Sequence, residues 1–110
     1  MPRIARRITQ FTRDEIKRLF QTARTVYRQA GLAIKRAPRQ GDIARVLVVT
    51  PKKMGKAPQR NKIRRQIKAL FYQEKLYTVP YDFIIFCSKE SISLSFQELK
   101  DILLQLSLSP

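Results

Sequence analysis

Histidine is absent from the 110 residues, cysteine occurs once, and Asp and Glu together number eight against 23 Lys and Arg. Without His, acid–base catalysis by imidazole and His-ligated zinc are both excluded. One cysteine, Cys87, makes neither an internal disulfide nor a Cys-rich metal site, and reads as a small buried hydrophobe. No apolar run approaches the roughly 20 residues of a membrane-spanning helix. The N-terminal segment MPRIARRITQF is basic but lacks the apolar stretch of a signal peptide. No internal repeat or low-complexity linker interrupts the chain. Together these absences point to a soluble protein of a reducing, intracellular compartment, the cytoplasm.

What is present is positive charge. The formal net charge is +15, while 44% of the residues are apolar. That apolar share supports one modest core, so residues 1–110 read as a single domain, with residues 1–10 as a basic, flexible tail. Charge of this size opposes compaction, and its usual counterpart is a polyanion such as a nucleic acid. The excess is uneven. Residues 52–68 carry eight Lys and Arg and no Asp or Glu, whereas residues 69–110 carry three basic and five acidic side chains.

Local patterns predict an α+β protein. Thr12-Arg13-Asp14-Glu15 has the spacing of a capping box, with Phe11 and Ile16 at the positions of a hydrophobic staple. Ile16, Leu19, Phe20 and Ala23 continue as one helix face over about 13–23. Residues 26–36 suggest a strand through the alternation of Ala30, Leu32 and Ile34. A turn follows around Pro38 and Gly41, and then Arg45–Thr50 reads as a central strand. Pro58 opens a helix whose apolar positions are Ile63, Ile67, Leu70 and Phe71. Asp82–Ser88 is another buried strand, and Ser95-Phe96-Gln97-Glu98 is a second capping box that opens the last helix. The expected order is α-β-β-(β)-α-β-α, a two-layer α/β sandwich.

The segment from Pro51 to Phe71 carries the functional signal. At 100° per residue, its apolar positions occupy one arc of the helix, and Asn61, Arg64, Arg65 and Lys68 another, with Arg60 and Lys62 at the margins. Lys52, Lys53 and Lys56 lie in the loop before the helix, whose N-terminus is expected to add free amides. A charge run is ordinarily a solvated face. Here no acid within the segment relieves the repulsion, and Arg and Lys at this density fit a phosphate backbone.

At this segment the sequence resembles the protein component of bacterial ribonuclease P. The matching elements are the strand Val46-Leu47-Val48-Val49, the loop Lys52-Lys53-Met54-Gly55-Lys56-Ala57 and the helix Arg60-Asn61-Lys62-Ile63-Arg64-Arg65. Tyr81-Asp82-Phe83-Ile84-Ile85, Ser95-Phe96-Gln97-Glu98-Leu99 and the helix from Arg13 to Phe20 also fit, in the family's order. The resemblance implies a four-stranded sheet with a left-handed crossover, where general handedness rules favour a right-handed one. It also implies a protein that binds a catalytic RNA and the 5′ leader of precursor tRNA, not DNA or a membrane. The holoenzyme cuts the leader from the tRNA, with Mg2+ at the active site of the RNA. The residues that fall on the RNA-contacting motif are Lys52, Lys53, Lys56, Arg60, Asn61, Lys62, Arg64, Arg65 and Lys68. Phe20, Ile16 and Ile34 fall on the leader cleft.

The absences agree with that division of labour. A two-metal protein nuclease needs converging carboxylates. Asp14, Glu15 and Glu98 serve helix starts, Asp101 lies one turn on from Glu98, and none of the eight acids falls in the basic block. No catalytic residue, metal ligand or protein-bound cofactor is therefore expected. Ile16, Ala23, Gly31, Ile34, Pro51 and Ser88 depart from the family's common residues and make the expected cleft more aliphatic. The competing reading is a basic ribosomal or ribosome-associated RNA-binding protein without a role in cleavage.

Overall fold

A computed structural model of the chain describes residues 2–109. Its elements are helices α1 (Pro2–Arg7), α2 (Arg13–Thr22), α3 (Ala57–Gln73) and α4 (Phe96–Leu108), and strands β1 (Arg24–Gln29), β2 (Leu32–Pro38), β3 (Val46–Val49) and β4 (Tyr81–Cys87). The strands form one mixed sheet in the order β1-β2-β4-β3, with β3 parallel to β4 and the other pairs antiparallel. Helix α3 connects the parallel pair, as a parallel pairing requires a crossover. The result is an α+β fold.

Strand alternation divides the sheet into two faces. Leu32, Ile34, Val46, Phe83, Ile85 and Cys87 point into the main core, with Ile63, Ile67, Leu70 and Phe71 of α3 and Leu99, Leu103 and Leu106 of α4. Phe71 meets Phe83 edge to face with ring centroids 5.6 Å apart. The opposite face is smaller: Leu19 of α2 packs with Ala37 and Ile84, joined by Phe11, Ala23, Leu47, Val49 and Phe86.

Both capping boxes form. Thr12 Oγ1 accepts from the Glu15 amide at 3.1 Å and Glu15 Oε1 accepts from the Thr12 amide at 2.8 Å. Ser95 and Glu98 repeat the exchange at 3.1 and 2.9 Å. These are contacts between residues three apart, which is why sequence spacing finds them.

Two expectations about the strands are corrected. Residues 26–36 are not one strand but parts of two, joined at Ala30 (φ 55°) and Gly31 (φ 80°), whose two left-handed residues make a tight hairpin. Gly31 is also required by space, because a Cβ there would lie 2.3 Å from the Ser91 amide nitrogen. Second, Arg45–Thr50 does not hold a central strand: β3 is the edge of the sheet and pairs with β4 alone. Of the segment expected as a basic tail, residues 2–10 are described. Pro2–Arg7 are helical, Ile8 is fully buried in the main core, and its carbonyl accepts from the Val46 amide at 2.9 Å. Burying Ile8 ties this basic segment down. Gly55, in the loop before α3, is extended, at φ 165°. It is accommodated by space: an added Cβ would fall 2.7 Å from Gln59 Oε1, the oxygen that accepts from the Lys56 amide.

Candidate nucleic-acid interface

Helix α3 turns Ile63, Ile67, Leu70 and Phe71 into the core and leaves Asn61, Lys62, Arg64 and Arg65 exposed, with Arg60 and Lys68 half-buried at the margins. Lys52 and Lys53 begin a 3-10 turn after β3, and with Lys56 they are exposed just ahead of the helix. Burial of Met54 within that turn pins it to the core while its lysines face solvent. All nine motif residues expected from sequence thus lie on one helix and the loop that enters it.

The expected anion site of free amides at the start of α3 is reduced. Pro58 has no amide hydrogen, and the amides of Gln59 and Arg60 already donate to the Lys56 carbonyl at 3.0 and 3.1 Å. The side-chain cations, rather than the helix end, define this surface. Among the described residues, ion pairs join Arg7 to Asp42, Arg45 to Glu15 and Asp82, and Lys100 to Glu74; none engages a cation of residues 52–68.

Other arginines are used inside the fold. Arg45 donates two hydrogen bonds to the Glu15 carboxylate at 3.0 Å each and one to the Gln10 carbonyl at 2.8 Å, and it stacks 4.4 Å above the Phe11 ring. This pairing draws the Glu15 carboxyl down to about 2, helped by its bond to the Thr12 amide. Behind it, Asp82 is fully buried and accepts from the Arg45 and Gln40 amides at 2.9 and 3.1 Å. Burial raises its carboxyl above the ordinary value against the pull of those bonds. Arg36 lies 4.1 Å over the Tyr81 ring and donates to the Leu106 and Ser109 carbonyls at 2.7 and 3.1 Å, at the C-terminus of α4. Cys87 is buried, and burial pushes its thiol up to about 11, so it is an inert core side chain.

The three residues expected in a cleft separate. Phe20 is 46% exposed at the end of α2, edge to face with Phe86 at 6.2 Å. Ile16 lies one helical turn earlier on the same side and is half-buried. Ile34 is excluded: it is fully buried in the main core, on the face covered by α3 and α4. Its alternation with Ala33 and Lys35 sends those two side chains toward α2 instead. Register places Ala33 beside Phe86 and Arg28, and Lys35 beside Ile84 and Thr25. Phe86, Lys35 and Arg28 are therefore the surface residues that sequence reasoning missed. The parity of Phe83, Ile84, Ile85 and Phe86 carries the signal for Phe86, once the strand is known to be covered unequally on its two faces.

Two departures from the family pattern have local roles. Ser88 donates through both its amide and its hydroxyl to the Gly31 carbonyl, at 2.8 and 3.1 Å, and so ties the hairpin turn to the end of β4. The Pro51 carbonyl accepts from the Met54 amide at 3.1 Å, closing the turn that carries Lys52 and Lys53. Among the described residues no three His, Cys, Asp or Glu side chains gather into a metal-holding group, and no helix is long and apolar enough to cross a membrane.

Fold and surface together describe a small α+β protein with one cationic helix set across a mixed sheet. Residues 4–108 match the family model of ribonuclease P, and the chain belongs to that family, as a bacterial ribonuclease P protein component. It is 40% identical over 63 residues to the ribonuclease P protein component of Bacillus velezensis, an overlap of 57% of this chain and 53% of that one. The chain thus matches about half the length of that relative. Its fold is similar to the RNase P protein of Staphylococcus aureus, with a TM-score of 0.73, 20% identity and 92% of each chain covered. The RNase P protein of Thermotoga maritima aligns with a TM-score of 0.73 and 19% identity over 90% of this chain and 94% of that one.

Proposed function

We propose that this chain acts as the protein subunit of a cytoplasmic ribonuclease P, a single RNA-binding domain that assembles with a catalytic RNA and promotes removal of the 5′ leader from precursor tRNA. The observation that carries this reading is the exposed face of α3 and its entering loop, where eight cations stand without an acid in residues 52–68. Lys52, Lys53, Lys56, Arg60, Lys62, Arg64, Arg65 and Lys68 contact phosphates of the RNA subunit, with Asn61 as a neutral donor among them. Arg forks two phosphate oxygens, while Lys supplies a point charge that tolerates irregular backbone.

The leader lies against the less covered sheet face beside α2. Phe20 and Phe86 offer ring surface on which an unpaired base stacks without regard to its identity, and Arg28 and Lys35 lie along the same face for the leader phosphates. Ile16 extends the aliphatic part of this surface. The protein supplies binding and orientation, and the RNA with its Mg2+ performs the cleavage. The carboxylates suit that role. Glu15 and Asp82 are tied to Arg45, and Glu98 is tied to Ser95.

Reconstitution tests the proposal. The protein is added to cognate ribonuclease P RNA and precursor tRNA at physiological magnesium, and the rate of 5′ cleavage is followed. Stimulated cleavage at the mature 5′ end is expected. Intact RNA with folded protein and no stimulation contradicts the proposal and favours a generic RNA-binding role.

A further inference from the structure

Beside the cationic face lies a groove of about 280 Å³ between α3 and the outer edge of β3. Thr9, Val46, Leu47 and Val48 line it on the strand side and Arg64, Arg65 and Lys68 on the helix side; Val46 is fully buried and Val48 half-buried, so Val48 supplies the accessible aliphatic side chain. Strand β3 has a neighbour on one side alone. The Phe83 amide donates to the Arg45 carbonyl at 2.9 Å, so Arg45, and by alternation Leu47, direct their backbone groups toward β4. Val46 and Val48 therefore direct theirs outward. The Val46 amide is taken by the Ile8 carbonyl at 2.9 Å, where the N-terminal segment crosses the edge. One step along, Val48 presents a backbone donor and acceptor to the groove.

We infer that this groove receives one unpaired nucleotide of the RNA subunit, its base against the Val48 side chain and its flanking phosphates held by Arg64, Arg65 and Lys68. The occupant follows from the combination of features. An aliphatic slot bordered by three cations suits a ligand with an apolar face and anionic ends. A nucleobase edge carries the adjacent donor and acceptor that a strand edge can pair. The volume lies just under the roughly 300 Å³ at which pockets for drug-sized ligands begin, which suits one nucleotide. Continuity with the face of α3 assigns the nucleotide to the same RNA. The inference rests on the proposed role in ribonuclease P and adds to it a base-reading contact that duplex phosphates alone do not supply.

The test joins a cross-link to a pair of substitutions. Cys87 is buried, so a Thr9→Cys variant presents an exposed thiol for a photoactivatable cross-linker. In the complex with ribonuclease P RNA, the cross-link is expected at one unpaired nucleotide. Making that nucleotide abasic should weaken binding of the unaltered protein by about tenfold, the equivalent of about 55 Å² of lost apolar burial. The slope of log K against log salt should stay unchanged, because no phosphate is lost. A groove-filling Thr9→Trp variant should lose about as much, and the two changes should not add. Cross-links confined to duplex or scattered over many nucleotides, or an abasic site without effect, overturn the inference. The abasic arm uses unaltered protein and is independent of how Thr9→Trp folds. Failure of the broader reading shows separately, as absent RNA binding or absent stimulation of cleavage by the unaltered protein.

Discussion

Arg45 and the pair Arg64 and Arg65 share a side chain but occupy opposite electrostatic situations. Arg45, with a side chain only 10% exposed, has Glu15, the Gln10 carbonyl and the Phe11 ring around it, and Asp82 4.0 Å away. Arg64 and Arg65 are exposed on α3, and no ion pair among the described residues involves either of them. A buried cation must be paired within the fold, because an isolated one is costly to desolvate. An exposed cation meets no such demand, and a block of them in like-charged company stores repulsion that a polyanion relieves. The comparison separates charge that holds the protein together from charge that is directed outward. It also shows that net charge alone does not reveal which is which.

The largest break in this comparison should come from Arg45→Met. The change removes the cation 4.0 Å from the buried Asp82, which keeps its bonds from two backbone amides, and releases Glu15 and the Gln10 carbonyl at the start of α2. A stability loss of about 3 kcal/mol is expected in denaturant unfolding. A loss below about 1 kcal/mol would show that the network is not structural.

Phe20→Ala acts on the other side of the division. Its ring is 46% exposed, so stability should change little. Affinity for precursor tRNA should fall by about 1–3 kcal/mol when a leader is present, and hardly at all for mature tRNA. Equal losses for both substrates would remove Phe20 from the leader surface.

The smallest effect concerns acid. Glu15 titrates at about 2 in the fold against 4.5 ordinarily, so its contribution is complete above 4.5 and is lost as pH falls toward 2. The stability gap between the natural protein and Glu15→Gln should therefore be constant near neutrality and close through that window. A gap that persists at pH 2 would mean that the carboxylate charge is not what binds Arg45.

How much of this was legible in the sequence follows from the range of each interaction. The capping boxes at Thr12 and Ser95 and the two arcs of α3 depend on neighbours within a turn or two, so spacing revealed them. The hairpin at Ala30-Gly31 went unseen because Ala in a left-handed conformation is uncommon, and the usual Asn-Gly or Asp-Gly signal is missing. Ile34 entered the expected cleft through the resemblance, and alternation could not correct it, because it shows which residues share a face but not which face meets which helix. The docking of Ile8 and the pairing of Arg45 with Glu15 join residues about 30 or more apart, and no local pattern encodes them. The cationic face of α3 was legible because it is continuous in sequence. The proposed leader surface was only partly legible because Phe20, Phe86 and Lys35 come from three elements.

Whether the exposed face of α3 docks RNA, as proposed, is decided by the salt dependence of binding to ribonuclease P RNA, measured for the natural protein and for the double variant Arg64→Ala, Arg65→Ala. With unfolding transitions matched, the slope of log K against log salt should flatten by roughly 0.7–0.9 for each lost phosphate contact. Identical slopes for the two proteins would show that these cations are merely solvated and would contradict the account.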